Sequence, residues 1–143
     1  LISGVATALK SKWNKLNIHP VEPENWDDTK LSLLKNERQT IKNKKNSICD
    51  ALLAETPGKL TFKINKKLLS KGISVSDSKA LQAIHLAYAW LKLVPEPGGA
   101  VALAAALNES DLIKNKNVLI IISGGNIDKE IFLNSLDTVL PIV

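Results

Sequence analysis

Apolar positions recur along this chain in three patterns, and each predicts an element. Residues 2–14 place Ile2, Val5, Ala6, Leu9 and Trp13 at helical spacing on one face. Residues 17–22 predict a short strand, and Pro20 inside it restricts that strand to an edge or an end. The segment VEPENWDDTKLSLLKN then runs through a polar loop into a short helix, and the lysine-rich residues 35–46 predict a surface loop. SICDALLA, residues 47–54, predicts a helix capped by Ser47. TPGKL is turn chemistry, INKKLLSKG a helix ended by Gly72, and ISV at 73–75 a strand.

The clearest helical pattern is 77–91. Ser76 suits the N-cap, Asp77 suits the positive end of the helix dipole, and Ala80, Ile84, Ala87, Tyr88 and Leu91 form the buried stripe. After the break PEPGG, AVALAAAL is apolar nearly all round, as a helix buried against a sheet would be. NVLIII, residues 117–122, is a continuous apolar run of the kind found in strands covered on both faces. A last helix is predicted at about 128–135. Strands alternating with helices predict an α/β layer fold with a largely parallel sheet, and 143 residues in this order predict one domain, 1–143.

Composition narrows the classes. An apolar content of 45% in 143 residues predicts a soluble globular chain able to bury a core. No apolar run approaches the ~20 residues of a membrane span, so no membrane role is expected. LISGVATALKSKW has no basic segment ahead of its apolar residues, which makes it a poor signal peptide. The single cysteine, Cys49, cannot form an internal disulfide and fits a reducing cytoplasm. The net charge of +5 comes from lysines mixed with asparagines and not interleaved with aromatics, so no nucleic-acid partner is expected. The chain has no methionine and begins within a helical pattern, which reads as a fragment whose N-terminal part is missing.

Three stretches could carry chemistry. IIISGGN ends a strand on Ser123, and Gly124 and Gly125 then let the backbone approach a ligand closely. On spacing alone this also fits a bare strand-to-helix turn. VPEPGGA holds Glu96 between Pro95 and Pro97 just before a tightly packed helix. VEPENWDD sets Glu22 and Asp28 about a short loop, an oxygen-donor arrangement suited to a hard cation.

Taken in order, VEPENWDD, SICDALLAETPGKLTF, LKLVPEPGGAVALAA and IIISGGNID resemble the C-terminal half of the serine/threonine dehydratases, the pyridoxal-phosphate (PLP) dependent fold-type II family that includes serine racemase. The resemblance implies a three-layer α/β fold of the tryptophan synthase beta-like kind. It implies PLP as cofactor, a β-hydroxy amino acid as substrate, and elimination of water to give a 2-oxoacid and ammonia. Ser123 would bond the pyridine nitrogen of PLP through a neutral hydroxyl, making the ring a milder electron sink than a carboxylate would. Gly124, Glu96 and Asn126 would lie about the cofactor. Glu22, the main-chain carbonyl of Trp26 and Asp28 would hold Mg2+ or another divalent cation. The full-length enzyme would be a cytoplasmic homodimer.

Two departures matter. Ala51 follows ICD where many racemase-like members carry glycine, which leans towards dehydration. No stretch matches the family's Schiff-base lysine motif, since Lys12 and Lys79 lack its flanks. The 143 residues alone are therefore expected to be inactive, and a non-catalytic regulatory or ligand-binding half-domain stands as the alternative, beside a serine or hydroxyaspartate racemase-dehydratase. His19, His85 and Cys49 read as structural residues.

Overall fold

The computed structural model of the chain describes residues 1–108 and 110–140. The order of elements is α1 (Ile2–Lys12), β1 (Val21–Pro23), α2 (Asp28–Lys35), a 3-10 turn (Asp50–Leu52), α3 (Lys59–Leu68), β2 (Ile73–Val75), α4 (Asp77–Leu86), a π turn (Ala87–Leu91), α5 (Pro97–Asn108), α6 (Ser110–Ile113) and α7 (Lys129–Leu136). The chain forms two compact units, Leu1–Lys45 with Ala54–Ser74, and Asn46–Leu53 with Val75–Val143.

In the first unit α1 packs on α3. Ala6 and Phe62 are buried there, and Ser3 Oγ donates to Asn65 Oδ1 at 2.7 Å, which satisfies both buried polar groups. Trp13, assigned to the buried face of α1, instead caps the helix and is 58% exposed. The expected strand at 17–22 shrinks to Val21–Pro23, for Pro20 has no amide to give a ladder. β1 pairs with β2 in a two-stranded sheet. The flanking bonds, Ser70 N–H to the Ile18 carbonyl and Ile73 N–H to the Pro20 carbonyl, advance along both segments in the same direction, as in a parallel pair.

Gly72 does not end a helix: α3 stops at Leu68. Its job is close approach. A Cβ there would lie 2.6 Å from Lys30 Cβ and 2.7 Å from Lys30 Cα. That contact lets the Lys30 ammonium reach Ser74 Oγ at 2.5 Å and Asp27 at 3.2 Å, while Ser74 Oγ donates to Asp27 at 2.7 Å.

The second unit is built on α4 and α5. Ala80, Ala83, Ala87, Ala100 and Ala104 are all fully buried, and these small side chains let the two helices approach closely. Ser76 caps α4 as expected, accepting from the Lys79 amide at 3.4 Å. The helix predicted to run to Leu91 changes register at Ala87, where a π turn begins and Lys92 then takes a left-handed conformation, φ 58°. Tyr88 and Leu91 thereby leave the buried stripe, at 45% and 53% exposure, and Tyr88 packs edge-on against Phe132 of α7, ring centroids 5.3 Å apart. His85 Nδ1 lies 3.2 Å from the Thr138 carbonyl and, in the first unit, His19 Nδ1 lies 2.8 Å from that of Lys71, the structural use expected of each.

Two expectations fail locally. SICDALLA makes a single 3-10 turn in place of a helix, although Ser47 Oγ accepts from the Cys49 amide at 3.2 Å while donating to Asp77 Oδ1, 2.7 Å away. NVLIII has no ladder partner among the described residues, and Val118, Leu119 and Ile121 are 47%, 76% and 42% exposed. A parallel strand needs a neighbour delivered by a crossover, and no described segment delivers one.

Gly72→Ala is expected to lower the free energy of unfolding by about 2 kcal/mol, since the Lys30 backbone cannot give way. Gly4→Ala, on the exposed side of α1 with nothing within 4 Å of the new Cβ, is expected to raise it by about 0.5–1 kcal/mol. Urea unfolding of the two variants beside the parent reads both signs.

Candidate functional site

Glu96 is where the second unit's site begins. Pro95 is fully buried and Pro97 opens α5, so the backbone on both sides of Glu96 is fixed. The Glu96 carbonyl accepts from the Ala100 amide at 3.0 Å and starts the helix ladder. Its amide donates to the Gly124 carbonyl at 3.0 Å, and its carboxylate accepts from the Asn126 amide at 3.2 Å. One glutamate therefore grips the Ser123–Asn126 turn from both sides of Gly125.

The glycines make that grip possible. A Cβ on Gly99 would sit 2.6 Å from the Gly124 carbonyl oxygen and 2.9 Å from its nitrogen. A Cβ on Gly124 would overlap the Glu96 carboxylate, 2.6 Å from its Cδ, and one on Gly125 would press the Val94 carbonyl at 3.1 Å. The first turn of α5 and the Ser123–Asn126 turn thus meet backbone to backbone. Behind α5, Ala51 and Leu52 lie within van der Waals reach of Gly98.

An open cleft of about 330 Å³ borders the turn, lined by Leu93, Val94, Pro95, Ile122, Ser123, Gly124 and Gly125. Ser123 is exposed and, among the described residues, its hydroxyl has no hydrogen-bond partner in the chain. A neutral hydroxyl at the rim of an apolar, glycine-flattened cleft fits the edge of a planar aromatic ligand. The structure brings Glu96, Ser123, Gly124 and Asn126 together at one turn.

In the first unit, Glu22 on β1 and Asp28 at the start of α2 are both buried, 9% and 4% exposed. The N-cap residue of α2, Asp27, makes no side-chain cap. Glu22 does this work across the loop, accepting from the Thr29 amide at 3.0 Å and the Lys30 amide at 2.9 Å. Between them the chain turns through Asn25, φ 67°, and the Trp26 amide bonds the Pro23 carbonyl at 3.1 Å. The Trp26 ring is buried and its Nε1 donates to the Lys45 carbonyl at 2.7 Å. Burial, then the neighbouring Glu22 charge and a hydrogen bond to it, push the Asp28 carboxyl up to about 7. Two carboxyl groups that cannot both ionise in a dry site are a donor set a hard divalent cation would satisfy. Among the described residues no cluster of three or more histidine, cysteine or acidic side chains could hold a metal ion, so further ligands would be other oxygens, such as carbonyls or water.

Sequence reasoning missed the strap formed by residues 46–53. Asp77 accepts from Ser47 Oγ at 2.7 Å and from the Ile48 amide at 3.0 Å. Cys49, fully buried beside it, has its thiol pushed up to about 12 by burial and then by the Asp77 charge, so it stays an inert thiol. No short-range signal marks this pairing, since Ser47 and Asp77 lie 30 positions apart.

Residues 1–124 match the family described as pyridoxal-phosphate dependent enzyme. The chain is 35% identical over 140 residues to the L-threonine ammonia-lyase of Thermotoga maritima, covering 98% of this chain and 33% of that protein. It is 38% identical over 143 residues to the serine racemase of Dictyostelium discoideum, covering 98% of this chain and 43% of that protein. Among solved structures, the processed form of threonine deaminase isoform 2 from Solanum lycopersicum superposes with a TM-score of 0.84 at 31% identity over 94% of this chain and 38% of the other. Maize serine racemase gives 0.83 at 33% identity over 95% and 42%. These neighbours share the tryptophan synthase beta-like α/β fold expected from the sequence. The chain thus spans 33% to 43% of the length of these relatives.

Because the folded Asp28 carboxyl titrates above its ordinary value of 3.8, folding takes up a proton between that value and about 7. Without a divalent cation, stability is expected to be full below about pH 4 and to fall, by roughly 1–3 kcal/mol, as pH rises to about 7. Asp28→Asn is expected to flatten that slope; chemical unfolding at a series of pH values with chelator present reads it.

Proposed function

Because this chain belongs to the pyridoxal-phosphate dependent enzyme family, we propose that it forms the C-terminal part of a serine/threonine dehydratase, an ammonia-lyase that converts a β-hydroxy amino acid to a 2-oxoacid and ammonia. The observation that carries this reading is the Glu96 grip on the Ser123–Asn126 turn, whose two central glycines let it present the Ser123 hydroxyl to an open cleft. PLP bound there supplies an electron-withdrawing ring that makes the substrate's α-proton acidic and lets its β-hydroxyl depart.

This chain's own residues have defined parts. The Ser123 hydroxyl holds the ring nitrogen without adding charge, Gly124 and Gly125 keep the wall of the cleft flat, and Glu96 fixes the turn through the Gly124 carbonyl and the Asn126 amide. Glu22 and Asp28, with the Trp26 carbonyl, hold a divalent cation such as Mg2+, whose part is to order this loop. No lysine here has the flanks of the family's Schiff-base motif, so the 143 residues do not turn over substrate by themselves. A cytoplasmic homodimer completes the reading, on the strength of the family resemblance.

A racemase reading stands beside it, since serine racemases are among the relatives, at 34% to 38% identity. Ala51, against Gly98 at the start of α5, favours the dehydratase.

The test is the full gene product, loaded with PLP and offered serine, threonine and 3-hydroxyaspartate. Ammonia and 2-oxoacid in equal amounts are the expected products; the opposite enantiomer formed faster than 2-oxoacid selects the racemase, and neither product overturns both. Ser123→Ala is expected to lower kcat about 10- to 100-fold with the fold intact, the cost of one hydrogen bond to a group that changes charge during reaction. Adding Mg2+ at pH 8 is expected to raise the melting temperature of the parent by several degrees and to leave Asp28→Asn within about 1 °C.

A further inference from the structure

Residues 46–53 belong to the second compact unit although the chain on either side of them belongs to the first. Something must hold so short a segment there. At one end Asp77, in the first turn of α4, accepts from the Ser47 hydroxyl and the Ile48 amide. In the middle Cys49 is fully buried. At the other end Ala51 and Leu52 rest on Gly98, 3.4–3.5 Å from where its Cβ would lie. Gly98 is followed by Gly99, whose own missing Cβ admits the Gly124 backbone. The path from Asp77 to Ser123 is therefore continuous: carboxylate, strap, first turn of α5, glycine contact, serine turn.

We propose that Asp77 is a positioning residue for the Ser123 turn: by tying the 46–53 strap to α4, it seats Ala51 and Leu52 behind Gly98 and so fixes the helix start against which Gly124 lies. The functional consequence rests on the dehydratase reading, whereas the mechanical link does not. Without the tie, the strap loses both bonds to α4 and keeps the burial of Cys49 and the contacts of Ala51 and Leu52. The first turn of α5 then has room to retreat, and the amide of Glu96 loses its constant distance from the Gly124 carbonyl.

Hydrogen exchange in the full gene product tests the link with no need of turnover. Asp77→Asn removes one acceptor while keeping the side chain's volume, and Ser47→Ala removes a donor while leaving the first turn of α4 as it is. Both are expected to speed exchange about tenfold at residues 47–53 and also at the Glu96 amide, with α3 unchanged. In the PLP-loaded protein both are expected to lower kcat about threefold to tenfold with KM within about twofold, and Asp77→Glu to restore much of kcat. Faster exchange confined to residues 47–53 and the first turn of α4 overturns the proposal, as does a uniform increase over the whole unit. So does faster Glu96 exchange with kcat unchanged. Absence of any lyase or racemase activity in the parent overturns the dehydratase reading instead, and the exchange result still decides whether the strap supports the turn.

Discussion

Two backbones touching at Gly99 and Gly124 are the constraint on which the site depends. A Cβ on Gly99 would lie 2.6 Å from the Gly124 carbonyl oxygen, so the start of α5 could not hold its position with any other residue there, while one on Gly124 would displace the Glu96 carboxylate. Close-packed protein yields little to such an intrusion. The contact is locked by the two bonds that Glu96 makes across it, amide to carbonyl and carboxylate to amide. Ser123, between Ile122 and Gly124, is thereby placed at the cleft by the backbone of a turn that Glu96 holds from the other side.

The first unit solves a different problem with the same economy. Glu22 and Asp28 are buried acids in one loop, an arrangement that costs free energy unless each is compensated. Glu22 is compensated by the two orphan amides of α2. Asp28 holds its proton far above the usual carboxylate range, because burial and the Glu22 charge both oppose its ionisation. Beside them Lys30, Ser74 and Asp27 form a connected set that ties α2 to β2, made possible by the missing side chain of Gly72. The loop is thus held firmly at its edges around a pair of acids whose mutual repulsion a positive charge would relieve.

The exposed apolar segment at 118–121 shows how far local pattern reaches. Its residues are those of a buried parallel strand, and the relatives that share the fold are more than twice the length of this chain. Burial of such a strand comes from neighbours far away in sequence. The residues Val118, Leu119 and Ile121 carry the preference, and no described residue satisfies it.

Whatever depends on a few adjacent residues was legible in the chain before it folded. The positions of α1, α4, α5 and α7, the cap that Ser76 gives α4, and the special backbone of SGGN and PEPGG all follow from helical periodicity, capping and glycine-proline chemistry, which are short-range effects. The family motifs likewise assembled Ser123, Gly124, Glu96 and Asn126 into one candidate site ahead of any geometry. The uses of Ser47 and Gly72, which read locally as a helix cap and a helix end, emerged only from packing. Ser47 went to a carboxylate 30 residues away and Gly72 to the backbone of Lys30. Packing likewise set the π turn that frees Tyr88 and the separate seating of residues 46–53. A hydroxyl or a missing Cβ has the same local meaning wherever it stands, and only the contacts made after the chain collapses select which partner it serves.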